Sequence, residues 1–185
     1  TNPIAVAVPT LEEPPVVLDM ATTVAAYGKV KTYAQRGLAM PEGWMMDREG
    51  KPLTDPKRAD EGFLLPVGGY KGYGLSLVFG LLAGTLNGAA MGKDVIDFNA
   101  DSSSATNTGQ AIVAIDPAAF GDVDDFKRRV DAVVRDLRAS RRMPGVERIW
   151  MPGEQSHLKR AAASREGVAL APALRKALDT LANEL

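Results

Sequence analysis

Residues 65–84 read LPVGGYKGYGLSLVFGLLAG. Gly68, Gly69, Gly72 and Gly74 surround one cation, Lys71, and two tyrosines, Tyr70 and Tyr73, and an apolar run follows. A P-loop is excluded because Lys71 is followed by Gly72 rather than by Ser or Thr. A Rossmann turn is excluded because the order is Gly69-x-x-Gly72-x-Gly74 rather than G-x-G-x-x-G. The ingredients are nevertheless those of an anion cradle. Glycines let backbone N–H groups approach an anion closely, a helix N-terminus adds positive potential, and Lys71 adds a full charge. A pyrophosphate or a carboxylate would suit such a place. The same glycines also serve close helix packing, with Lys71 reaching out to water. The residues alone leave both readings open.

The chain has 185 residues, 45% hydrophobic and 24% charged, with a net charge of −1. This composition fits a packed domain, or one with a small extension, and offers no basic field for nucleic acid. Cysteine is absent, which excludes disulfides, thiolate metal sites and cysteine nucleophiles and fits a reducing, cytoplasmic setting. His157 is the only histidine, so no metal site is expected. The most apolar stretch, residues 75–91, holds three glycines and falls short of the ~20 apolar residues of a membrane span. It reads as a core helix, and no membrane partner is expected. The chain opens at Thr1 inside a strand-like run, TNPIAVAVP, so an upstream part is expected to be missing.

Residues 4–8 and 15–20 read as short strands, with the EEPP turn between them. Thr22 or Thr23 offers an N-cap for a helix through Gln35, and Gly37 offers its stop. Residues 40–66 are turn-rich and read as a long loop over a site. QAIVAID (110–116) reads as a strand closed by Pro117, and VERIWMPG (146–153) as a short strand and turn. Phe126, Val130, Val133, Val134 and Leu137 fall at helical spacing within an amphipathic helix over 123–141. A last helix spans 170–185, with Pro172 in its first turn. Strands alternating with helices predict an α/β fold with one main, mixed β-sheet flanked by helices.

The phrase LLPVGGYKGYGL resembles the hallmark of the type-2 malate/L-lactate dehydrogenases. Further blocks resemble that family in family order: TNPIA (1–5), LDMATT (18–23), Gly28-Lys29, GWMMDREGKPLTDP (43–56), NTGQAIVAIDP (107–117) and MPGE (151–154). The resemblance implies a non-Rossmann NAD(P)-binding fold. It implies cofactor contacts from Asp19, Met20 and Ala21, from Lys71, and from the turn Pro152, Gly153 and Glu154. It places Thr1 and Asn2 near the substrate carboxylate, with Tyr27 and Gly28 as further substrate contacts. Two readings of Asp19 stand side by side: a group reaching a ribose hydroxyl or orienting a catalytic imidazole, and a helix N-cap. Glu154 reads either as a cofactor contact or as a solvated turn residue.

Two positions depart from the family pattern. Gln110 stands where histidine is frequent, and Gln155-Ser156 stands where Pro-Glu is frequent. The family's proton donor is a histidine in a Ser-His pair followed by a substrate-binding arginine, and no such block occurs here. His157 follows Ser156 but lies in another block and reads as a surface or loop residue. Residues 1–185 therefore resemble the C-terminal, cofactor-binding portion of a larger dehydrogenase, with the catalytic histidine in a missing N-terminal segment.

The implied activity is hydride transfer between NAD or NADP and a small 2-hydroxy/2-oxo acid, or a related imino acid, in a homodimer. Two other classes compete. An N-terminal nucleophile hydrolase would use the Thr1 hydroxyl with its own amine as base. A non-catalytic nucleotide-binding fragment would keep the cradle and lack the chemistry.

Overall fold

Glycine stands at several of the helix ends. The computed structural model describes residues 2–98, 100–101 and 103–184. The chain divides into two units. One comprises the chain up to Val6 together with Leu18–Phe120, and the other comprises Ala7–Val17 and the chain from Gly121 onward. Strands β1 (Ile4–Val8) and β2 (Val16–Met20) pair in a two-stranded sheet, as their short apolar, β-branched runs predict.

In the first unit, helix α1 (Tyr27–Arg36) ends at Gly37, as expected. Gly37 is left-handed, and its N–H bonds the Ala34 carbonyl at 3.2 Å. The helix does not begin at Thr22 or Thr23. The Val67 N–H bonds the Thr22 carbonyl and the Val24 N–H bonds the Leu65 carbonyl, both at 2.9 Å, so residues 22–24 are held extended against 65–67. Residues 40–66 are not one loop either. Strands β3 (Met45–Asp47) and β4 (Gly62–Leu64) pair antiparallel, with Met45 opposite Leu64 and Asp47 opposite Gly62. A 3₁₀ turn, Pro56–Glu61, connects back into β4, and the Asp55 carboxylate caps it at the Lys57 N–H, 3.0 Å away. Val30 of α1 packs there with Met40, Met45, Leu53 and Ala59, and Tyr27, Tyr33, Trp44 and Leu64 close around them.

Helix α2 (Tyr70–Ala83) begins at Gly69, whose φ is 63°. Its first turn lies directly on the backbone of Val67. A Cβ on Gly72 would sit 1.7 Å from the Val67 carbonyl oxygen, so only glycine fits there. The expected core helix thus exists, but its flanks are open: Tyr70 is 81% and Val78 52% exposed.

The second unit contains α3 (Val123–Ala139), α4 (Glu154–Glu166) and α5 (Pro172–Glu184). The Asp122 carboxylate caps α3 by accepting from the Asp125 N–H at 2.6 Å. On α3, Val134 is the buried apolar residue, and Asp131 is buried beside it. The Asp131 carboxylate accepts the backbone N–H groups of Leu11, Glu12 and Glu13 at 2.9–3.3 Å, which ties the EEPP turn to the helix. Helix α4 was not foreseen. Its QSHLKRAAASRE run consists largely of good helix formers, but the apolar periodicity that marks an amphipathic helix is missing.

The α/β class stands, and its sheets are smaller than the single mixed sheet expected. The described strands form two two-stranded sheets. Residues 110–116 and 146–150 carry no strand, because a strand exists only where a neighbour takes its hydrogen bonds, and neither segment has one among the described residues. No described helix is long and apolar enough to cross a membrane.

Two substitutions in α2 test the packing. Gly72→Ala must displace the Val67 backbone and is expected to lose about 3 kcal/mol or more in urea unfolding. Gly74→Ala points into open space and should gain roughly 0.5–1 kcal/mol through helix propensity. Equal effects would refute the contact.

Candidate functional site

In the first unit, the pairing of 22–24 with 65–67 sets the LDMATT block beside the glycine turn. Thr22 is fully buried in this arch. Asp19 lies in β2 with its side chain exposed, so it caps no helix, and the N-cap reading falls. Met20 ends β2, and Ala21 follows it, both half-buried. Lys71 is the second residue of α2, exposed, with no carboxylate paired to it among the described residues. The first N–H groups of a helix have no acceptor within the helix. Those of α2 therefore share the Lys71 end with a full positive charge, next to two glycines at φ 64° and 63°. This is a donor set for an anion.

Asn2 and Tyr27 are engaged structurally. The Asn2 side-chain amide donates to the Ser76 carbonyl at 2.8 Å and to the Ser76 Oγ at 3.2 Å, clasping the chain start to α2. Tyr27 packs on the core cluster, and the Lys31 ammonium lies 5.5 Å from its ring centre. Gly28 has open space beside its Cα, and its carbonyl accepts the Thr32 hydroxyl at 2.9 Å. Thr1 lies outside the described residues.

In the second unit, the turn at Pro152 and Gly153 is seated on β2. The Val17 N–H bonds the Pro152 carbonyl at 3.1 Å, and a Cβ on Gly153 would lie 2.9 Å from the Val17 carbonyl oxygen. Gly153 has φ 84° and starts α4. Glu154 is not a solvated turn residue: it is only 7% exposed. Its Oε1 pairs with Arg138 at 3.1 Å and with Arg148, and its Oε2 accepts the Met151 N–H at 3.1 Å. Arg148 in turn lies 4.3 Å from the Trp150 ring centre. Burial raises the Glu154 carboxyl, but the Met151 N–H and the two guanidiniums outweigh it and hold the group below its usual range. Glu154 therefore fixes the turn, and the accessible faces of the turn belong to Pro152 and Gly153. His157 is exposed, as expected, but sits on α4 rather than in a loop.

Sequence reasoning missed the partners of Glu154. Arg138 is 16 residues and Arg148 6 residues away in the chain, with no motif to join them. The one available signal was an acid in the first turn of a helix, which is common for electrostatic reasons alone.

The family model for malate/L-lactate dehydrogenase matches residues 1–179, and the chain belongs to that family. The malate dehydrogenase of Pyrococcus horikoshii is 37% identical over all of this chain and 51% of its own length. The ureidoglycolate dehydrogenase (NAD(+)) of Escherichia coli K12 is 35% identical over 91% of this chain and 48% of its own length. A crystal structure of a dehydrogenase from Sinorhizobium meliloti superposes with a TM-score of 0.85 at 36% identity, covering 97% of this chain and 51% of that one. The chain thus spans about half the length of the curated relatives it matches.

The Glu154 cluster has a defined pH signature. A carboxyl held below its ordinary value of 4.5 contributes stability that is complete above that value and lost as pH falls through the lower, folded value. Glu154→Gln is expected to lower the urea midpoint at pH 7, and the gap to wild type should close as pH falls below 4.5. A gap that persists unchanged at low pH would mean that the carboxylate charge does not hold the turn.

Proposed function

We propose that this chain is the nicotinamide-nucleotide-binding portion of a dehydrogenase acting on small 2-hydroxy or 2-imino acids. The observation that carries the reading is the family match over residues 1–179, together with an exposed Lys71, paired with no carboxylate among the described residues, at the start of α2 beside the 18–23 block. Names of relatives support the class. The two reported above are a malate dehydrogenase and an NAD(+)-dependent ureidoglycolate dehydrogenase, and a third is a Δ1-pyrroline-2-carboxylate/Δ1-piperideine-2-carboxylate reductase.

The chain's own residues fit such a cofactor by chemistry. Lys71 and the first N–H groups of α2 offer charge and donors to a pyrophosphate. Asp19, an exposed carboxylate in the strand leading into the arch, accepts from ribose hydroxyls. Pro152 and Gly153 form a turn that Glu154 ties to Arg138, Arg148 and the Met151 N–H. When bound, the nicotinamide supplies the acceptor or donor of hydride. The remaining proton of the hydroxyl must pass to an acid–base group, and His157, exposed on α4, is not placed among these residues by any observation. The donor histidine and the carboxylate-binding arginine are assigned to the portion of the relatives that this chain does not match. Thr1 and Asn2 are left with a supporting role at the substrate end. The family match begins at Thr1, and nothing favours the hydrolase reading.

Titration of the chain with NADH, followed by nicotinamide fluorescence, is expected to show saturable binding that Lys71→Ala weakens about tenfold, the worth of one charge-assisted phosphate contact. Binding unaffected by that substitution would remove Lys71 from the site, and no binding would refute the reading. The chain by itself should oxidise NADH with 2-oxo acids no faster than the buffer does. Turnover by the chain alone would place the proton donor within residues 1–185.

A further inference from the structure

We infer that Asn87–Gly88 is a site of spontaneous deamidation that the fold holds closed, and that its conversion irreversibly loosens the C-terminal end of α2. The reaction needs an asparagine whose following backbone nitrogen can reach its side chain. The Gly88 nitrogen gives its proton to solvent and attacks the Asn87 Cγ. The bond from Cγ to Nδ2 breaks, and ammonia leaves with a proton from solvent. Water then adds to the five-membered imide and opens it, leaving an aspartyl or isoaspartyl residue at position 87. No oxidant or cofactor takes part. Glycine has no Cβ to obstruct the ring. The other asparagines are followed by Pro3, Ala100, Thr108 and Glu184, so Asn87 is the one asparagine in the chain with glycine after it.

Both reacting groups are occupied in the folded chain. The Asn87 side-chain amide donates to the carbonyls of Leu82 at 2.9 Å, Ala83 at 3.1 Å and Gln110 at 3.0 Å. The Gly88 N–H bonds the Thr85 carbonyl at 3.1 Å, and Gly88 is left-handed at φ 69°. Residues Thr85–Asn87 form a 3₁₀ turn, in which each N–H is aimed back along the chain. The Gly84 carbonyl tightens this turn by accepting the N–H groups of Asn87 and Ala89, both at 3.0 Å. Closing the imide ring therefore requires Gly88 to leave Thr85 and the Asn87 amide to leave its carbonyls. In the folded chain the reaction proceeds only through local opening of this turn.

The product cannot restore the clasp. An asparagine amide has two N–H donors, and the three carbonyls share them. An ionised carboxylate at position 87 is an acceptor only and would face those same carbonyls. Acceptors left against one another without donors are unfavourable, so the turn stays open once it has converted. The clasp is also what ties residues 107–110 across the helix end. Beside it, the Ala90 N–H bonds the Asn107 carbonyl at 3.0 Å, and Gly109 packs on the Ala83 carbonyl. Loss of the Asn87 donors loosens this crossing as well. The inference is independent of the cofactor reading.

The test ages the full chain in mildly alkaline buffer, once folded and once in concentrated urea, and follows the gain of one mass unit in each asparagine-containing peptide. In urea, conversion is expected first at Asn87. In the folded chain it should be about 30-fold slower, which is what two ordinary hydrogen bonds are worth. Hydrogen–deuterium exchange of the aged, converted chain should be about tenfold faster at residues 88–90 than in the fresh chain, and unchanged in α3. Asn87→Asp supplies the aspartyl product directly and should show the same acceleration. Three outcomes would overturn the inference: conversion in urea with no preference for Asn87, a folded chain that converts as fast as the unfolded one, and a converted chain whose exchange at 88–90 matches that of the fresh chain.

Discussion

The structure of the first unit depends on one close backbone approach. Gly72, in the first turn of α2, lies against the carbonyl of Val67, and Val67 is hydrogen-bonded in turn to Thr22. This sets the helix start, the glycine turn and the segment after β2 in one arch. Lys71 follows from it: the residue before Gly72 must stand on the outer side of the first turn, free of the contact. A larger residue at position 72 would disturb all of these features at once.

The second unit relies on buried carboxylates instead of a large apolar core. Asp131 gathers three successive backbone N–H groups, and Glu154 gathers two guanidiniums and one N–H. Glu13 links the two, pairing with both Arg135 and Arg138. Its carboxyl is lowered chiefly by its hydrogen bond from Arg138 and then by that from Arg135. Polar anchors of this kind specify one arrangement, because a buried charge without its partners is strongly unfavourable. They hold the Pro152–Gly153 turn against β2, while Val134 is the buried apolar side chain of α3. Glu154 ties the turn down through Arg138, Arg148 and the Met151 N–H.

Exposed apolar surface has a distinct distribution. The core around Val30 and Met45 is closed, whereas α2 and residues 111–115 are bare. The closed part is built from segments adjacent in the chain, α1 and the β3–β4 hairpin, which complete one another locally. The bare part consists of elements whose patterns call for neighbours on every side.

Local rules made much of this legible in the sequence. The stop of α1 at Gly37, strands β1 and β2, the extent of α3 and the Pro172 start of α5 follow from caps, periodicity and fixed φ, which act within a few residues. The glycine cluster around Lys71 left an anion cradle and a packed helix start both open, and the structure shows the packed start: Gly72 lies on Val67, with Lys71 exposed beside it. Tertiary structure alone decided the rest. Thr22 and Thr23 read as helix caps but pair with 65–67, and 110–116 reads as a strand but has no ladder. Whether an extended segment becomes a strand depends on a partner distant in the chain, and no local pattern encodes where that partner lies. The burial of Glu154 was hidden for the same reason, since Arg138 and Arg148 meet it only through the folding of α3 and the turn before α4.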